Sequence, residues 1–210
     1  MEVCDLNPVI METKIFPEGI RREHIRIQTE PDVWMTMYLL VPADAGPNTR
    51  LFLCPPGHNG AGKYTVAGLA KYGAVQEKIT QYQYDYGLQL ARRGFAAVCP
   101  DCRGFGERRE AKEDTQDPVL GLKGDCYWLA HMGEPLGIPV AGMLVWDLMR
   151  LIDYLELRGE WDMEHLGCLG FSGGGMQTLY LAALDERVQY AVISGCLLYT
   201  SPSPRDPKTS

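Results

Sequence analysis

Leu166-Gly167-Cys168-Leu169-Gly170-Phe171-Ser172-Gly173-Gly174-Gly175 is the stretch from which the rest of the chain can be read. Its first part, Leu166 to Phe171, is a short apolar run that reads as a buried strand, and Gly175 to Leu184 reads as a helix. Between them Gly170-Phe-Ser172-Gly-Gly174 fits the pattern G-x-S-x-G. A pattern this short needs its context, and strand, turn and helix supply it. A sharp turn lifts the serine hydroxyl out of the C-terminal end of a sheet. Small neighbours let the chain bend and let a substrate approach. The backbone N–H groups that open the helix point to where negative charge would develop. Ser172 is therefore the candidate nucleophile and the Gly173 N–H a candidate oxyanion-hole donor. The plainer alternative is a glycine-rich turn with an idle serine.

Working upstream, Val140 to Leu157 has the clearest helical period. Leu144, Leu148, Leu151, Ile152 and Leu155 make one apolar face, Asp147, Arg150, Tyr154 and Arg158 are expected opposite, and Gly159 stops the helix. Residues 101–135 carry charges, Gly and Pro with little period and read as a long irregular connection. Phe95 to Cys99 reads as a buried strand, preceded by a helix from Tyr84 to Arg93 with Gly94 beyond its end. Leu51 to Cys54 is a short strand leading into Pro55-Pro56 and the loop Gly57-His58-Asn59-Gly60-Ala61-Gly62. Ile25 to Gln28 and Val33 to Val41 flank the turn Glu30-Pro31-Asp32 and predict an N-terminal antiparallel hairpin. Downstream, Val188 to Ser194 is a further strand. Strand and helix alternate after the hairpin, which predicts an α/β fold with a mainly parallel sheet covered on both faces.

The chain has 210 residues, enough for one well-cored domain. A net charge of −7, with no long basic run, argues against nucleic acid or an anionic membrane as partner. The first twenty residues lack the apolar core of a signal peptide, and no stretch is long and apolar enough to cross a bilayer. Cys54, Cys99 and Cys168 fall in apolar runs, as free buried thiols do, so a reducing, cytoplasmic setting is expected.

Four segments together resemble the α/β-hydrolase superfamily, and within it the acetylxylan esterase, cephalosporin-C deacetylase and dienelactone hydrolase group. They are Pro55-Pro-Gly-His-Asn-Gly60, Asp101-Cys-Arg-Gly-Phe-Gly-Glu107, Gly142-Met-Leu-Val-Trp-Asp-Leu-Met-Arg150, and Gly167-Cys-Leu-Gly-Phe-Ser-Gly-Gly-Gly175. The resemblance implies hydrolysis of a small acyl ester through an acyl-enzyme on Ser172, with the backbone N–H of His58 as second oxyanion donor and that of Asn59 next in line; His58 as the triad base is disfavoured, because in this fold the base follows the nucleophile along the chain. Arg103 is implied to be structural. No metal or organic cofactor is implied, and the oligomeric state stays open.

One departure matters. In this superfamily the triad acid and histidine follow the serine along the chain. After Ser172 the only acids before residue 196 are Asp185 and Glu186, and no histidine follows at all. Of the others, His24 reads as a surface or edge residue, His165 as a strand-entry residue at the wrong end of its strand, and His131 as a pocket-lining candidate. The tail from Cys196 breaks composition, and its peptide resembles the translation of a transposase adapter used in sequencing libraries. The expectation is an α/β-hydrolase domain over 1–195, lacking its C-terminal strands, and a foreign tail over 196–210. On that expectation the fragment is inactive and Val188 to Ser194 is an unprotected edge.

Other readings compete. Gly57 to Lys63 nearly matches a nucleotide-binding P-loop, but Tyr64 stands where Ser or Thr would hold Mg²⁺. Cys99-Pro-Asp-Cys102 has redox-motif spacing but ends a strand rather than opening a helix. A non-catalytic binding protein with the same fold is the third.

Overall fold

The computed structural model describes residues 1–58, 61–70, 73–109 and 125–195. The sequence expectations for Asn59 and Gly60, for residues 110–124 and for the tail 196–210 lie outside the described residues. The elements in order are β1 (Val9–Ile15), β2 (Arg21–Glu30), β3 (Val33–Val41), β4 (Arg50–Leu53), α1 (Lys63–Val66), α2 (Gly73–Tyr82), α3 (Tyr86–Ala91), β5 (Ala96–Pro100), α4 (Cys126–Gly133), α5 (Val140–Arg158), β6 (Asp162–Phe171), α6 (Gly173–Leu184) and β7 (Tyr190–Ser194).

The strands form one mixed sheet in the order β1-β2-β3-β5-β4-β6-β7. The N-terminal hairpin is in fact a three-stranded antiparallel meander, because β1 pairs with β2. The sequence hid β1 because nearly all its side chains are exposed, so no buried face imposes an alternation. β3 runs antiparallel to β5, and β5, β4, β6 and β7 are mutually parallel neighbours. From β4 the chain turns to β5 on one side, then crosses back to β6 on the other. That reversal opens a crevice at the C-terminal ends of β4 and β6, where open α/β sheets bind ligands.

Both faces of the sheet are packed. Met37, Leu39, Leu51, Leu53 and Val98 meet Leu148, Leu151, Ile152 and Leu155 of α5 on one face, while Leu144 packs with Cys102 and Phe105. Tyr38, Leu40, Ala97 and Cys99, one residue out of step, meet Val66 of α1 and Leu88 and Ala91 of α3 on the other. α5 ends at Gly159 in the left-handed conformation, at φ 61°, as its sequence predicts.

Several expectations need correction. Asp147 and Tyr154, placed on the polar face of α5, are 2% and 4% exposed. That side of the helix is covered as well: Trp146 donates to the Thr29 carbonyl on β2 at 3.0 Å, and Arg103 and Arg108 reach Asp147. The helix expected from Tyr84 to Arg93 is regular only over α3. The connection read as irregular contains α4. The nucleophile helix opens at Gly173, immediately after the serine, rather than at Gly175.

Candidate active site

Ser172 follows the last residue of β6 and caps α6 with φ 54° and ψ −120°, a backbone conformation that L-residues other than glycine rarely hold. The sheet fixes it from one side, where its N–H donates to the Ser194 carbonyl at 2.8 Å. Its carbonyl accepts from the Met176 N–H at 3.1 Å, so the helix starts without delay. Ser172 is half-buried, at the C-terminal end of β6 beside β4.

The segment leaving β4 lies directly against this turn. A Cβ on Gly57 would stand 3.3 Å from the Ser172 Cβ and 2.6 Å from the Phe171 carbonyl oxygen, so only glycine allows the approach. The His58 ring sits over Gly173, where its Nδ1 would be 2.3 Å from an added Cβ, and its edge faces Phe105 with ring centroids 6.1 Å apart. Tyr86 Oη donates to the Pro55 carbonyl at 2.6 Å, and Gln177 Nε2 to the Pro56 carbonyl at 3.1 Å. Sequence reasoning passed over both. Gln177 had a visible signal: it is a large polar side chain in an otherwise apolar helix, and it is 3% exposed. Tyr86 had none, since a tyrosine at a helix start reads as ordinary core.

The structure thus brings Ser172, Gly173 and His58 together and leaves the other histidines apart. His165 is the fourth residue of β6, near the end away from Ser172, and pairs with Asp162 at 2.7 Å. At the rise of a strand it stands ~20 Å from Ser172. His131 is on α4 with its Nδ1 2.8 Å from the Tyr127 carbonyl oxygen. His24, expected at a surface or edge, is on β2 inside the meander, 18% exposed at its side chain and 3.1 Å from Glu107. Among the described residues no histidine is hydrogen-bonded to Ser172.

The P-loop reading is overturned. Lys63 is fully buried, and its ammonium meets the carboxylates of Asp101 and Glu107, the latter at 2.7 Å, so it cannot reach a phosphate. Partial burial pushes the Glu107 carboxyl up, but hydrogen bonds from His24 and Lys63, with the Lys63 charge, hold it well below the usual carboxylate range. The redox reading also fails. Cys99 and Cys102 are free and buried, and Cys102 Sγ donates to Gln177 Oε1 at 3.0 Å. Burial pushes the Cys102 thiol up, the reverse of what a reactive thiolate needs. Arg103 has the structural place the resemblance implied, paired with Asp147 and Glu30.

No family model matches the chain. It is 28% identical over 104 residues to YtaP of Bacillus subtilis, described as a hydrolase, which is 50% of this chain and 30% of that protein. It superposes on an acetyl xylan esterase structure from Bacteroides fragilis with a TM-score of 0.77 at 21% identity, covering 89% of this chain and 48% of that one. For an acetyl xylan esterase from Paenibacillus sp. R4 the values are 0.60, 21%, 88% and 52%, and for a glucuronoyl esterase from Solibacter usitatus 0.58, 16%, 90% and 51%. The chain spans about half the length of these solved structures and 30% of the curated relative. No single helix among the described residues is long and apolar enough to cross a membrane. With this strand order, a serine on a left-handed turn after β6 and these structural neighbours, the chain has the α/β-hydrolase fold.

Proposed function

We propose that this chain carries the nucleophile half of a serine hydrolase acting on carboxylic esters with a small acyl group, acetyl or similar. The observation that carries the reading is the Ser172 backbone, held at positive φ between strand and helix with Gly57 packed against it. Strain of this kind, of order 1–3 kcal/mol, persists where it serves a function. Ser172 Oγ attacks the ester carbonyl carbon, and the oxygen of that carbonyl becomes an oxyanion facing the N–H groups of Gly173 and His58. Collapse of the tetrahedral intermediate breaks the bond to the alcohol oxygen, which leaves with a proton. Water then attacks the acyl-serine, releasing the acid and restoring the hydroxyl.

Among the described residues no histidine is hydrogen-bonded to Ser172, which supports the reading that the 210-residue chain turns over slowly or not at all. The esterase names of its structural neighbours support the substrate class, and the free state of the six described cysteines supports a reducing, cytoplasmic setting.

Reaction with a fluorophosphonate in the presence and absence of free imidazole tests the reading. Imidazole supplies a proton acceptor and should raise the rate by at least about tenfold, less than the ~10²–10⁴-fold that a positioned general base contributes. The adduct should map to Ser172 and vanish in Ser172→Ala. Equal labelling of Ser172→Ala, or none in imidazole, overturns the assignment.

A further inference from the structure

The most unusual group outside the elbow is Lys63, an ammonium with 0% exposure. A buried charge is tolerated only when paired and fully hydrogen-bonded. Lys63 Nζ meets Asp101 Oδ2, Glu107 Oε1 at 2.7 Å and Thr36 Oγ1 at 3.2 Å, and it lies 4.7 Å from the centre of the Tyr64 ring and 5.2 Å from that of Tyr38. Asp101 is the hub. Its Oδ1 accepts from the Lys63 N–H at 2.9 Å. Its Oδ2 accepts from the Glu107 N–H at 3.1 Å and from Thr36 Oγ1 at 2.8 Å. Neither lysine nor aspartate touches the reacting serine.

Their place in the chain gives them a role. Lys63 opens α1, immediately downstream of the loop that begins at Gly57. The upstream end of that loop is held by Tyr86 and Gln177 at the Pro55 and Pro56 carbonyls. The downstream end is held by Asp101, which grips both the Lys63 amide and its ammonium. Gly57 and His58 thus lie along the chain between these two clamps, with Gly57 against Ser172 and the His58 ring over Gly173. A donor amide is useful only within a few tenths of an ångström of the oxyanion.

We propose that Lys63, through Asp101, is a positioning residue that holds the Gly57–His58 segment in register with Ser172. The inference rests on the esterase reading for its chemical consequence, and its structural part stands apart from it. A merely structural lysine would stabilise the sheet as a whole; a positioning lysine acts on the segment and on the chemical step.

Two measurements on the 210-residue chain separate these. The first resolves fluorophosphonate reaction at Ser172, in imidazole, into an affinity and a rate constant. The second is amide hydrogen exchange at Cys54, Gly57 and His58, the residues of Cys54–His58 that carry an amide hydrogen, and across β2. In Lys63→Met the affinity should stay within about twofold while the rate constant falls on the order of 10²-fold, as for loss of one oxyanion donor. Exchange at Cys54–His58 should quicken about tenfold with β2 unchanged, a local rather than global opening. If Lys63→Met fails to fold, Asp101→Asn, which keeps an acceptor for the Lys63 amide, should show the same pattern more weakly. An unchanged rate and unchanged exchange, or β2 quickening as much as Cys54–His58, overturns the proposal. If the wild-type chain does not react at Ser172, the esterase reading fails alone, and exchange still decides whether Lys63 holds the segment.

Discussion

Arg103 grips Asp147 with two parallel hydrogen bonds, Nε to Oδ2 at 3.0 Å and Nη2 to Oδ1 at 2.8 Å. Arg108 adds a third to the same carboxylate at 2.7 Å, and Arg103 also meets Glu30. This ties the loop after β5 to α5 and to the end of β2. Burial pushes the Asp147 carboxyl up, but the charges and hydrogen bonds of Arg108 and Arg103 outweigh it, so its pKa is lowered. A carboxyl depressed in the folded state adds stability that is present above its unfolded pKa, ~3.9, and is lost as pH falls through the lower folded value. Thermal melts of the wild type from pH 6 down to pH 2.5 should therefore steepen below about pH 4, and Asp147→Asn should flatten that limb. At pH 7 Asp147→Ala should cost about 3 kcal/mol, since it leaves two half-buried guanidinium groups short of a partner.

His58 is proposed to act through its backbone amide. His58→Ala keeps that N–H and should change imidazole-assisted labelling of Ser172 by less than about tenfold, whereas His58→Pro removes it and should cost on the order of 10²-fold. A melting temperature measured beside each rate separates loss of the donor from loss of the fold. The reverse order of effects would make the ring, and not the amide, the working group.

Strand β7 is the outer strand of the sheet among the described residues, paired there only with β6, and Tyr190 and Val192 are 46% and 45% exposed. An apolar edge without a charge is a template for another strand. Val192→Lys should raise the soluble yield and lower the weight-average mass in sedimentation, with little effect on the melting temperature. Unchanged association would show that the edge is already covered.

Thiol reactivity should follow burial. At pH 8 iodoacetamide should modify Cys4 first among the described cysteines. Cys126 should react more slowly, because partial burial pushes its thiol up. Cys54, Cys99, Cys102 and Cys168 are buried and should react only on unfolding; burial pushes the Cys168 thiol up to about 12. Peptide mass mapping reads the order directly.

The parts of this molecule that were legible in its sequence are those decided by near neighbours. The apolar run into Ser172, the stripe of leucines on α5 and the glycine at its end each carry a local period or a local conformational demand. What escaped depends on distant partners. Asp147 looked like a surface residue because its neutralising arginines lie some forty positions earlier in the chain. Lys63 had only a P-loop reading, disfavoured by Tyr64, to account for it, because its true partners, Asp101 and Glu107, are similarly remote. β1 left no trace because exposure on both sides removes the alternation that marks a strand. At the candidate site, the strand-to-helix turn at Ser172 and Gly173 was readable from one motif, while the clamp from Tyr86 and Gln177 on the prolines required the fold.

The backbone at Ser172 has one more consequence. At φ 54° and ψ −120° glycine would sit with less discomfort than serine. Ser172→Gly should accordingly melt higher than the wild type, by a gain of roughly 1 kcal/mol, while reacting with nothing. On the proposed reading, the reactive hydroxyl is kept at the expense of durability, and the surrounding sheet and helices offset that loss.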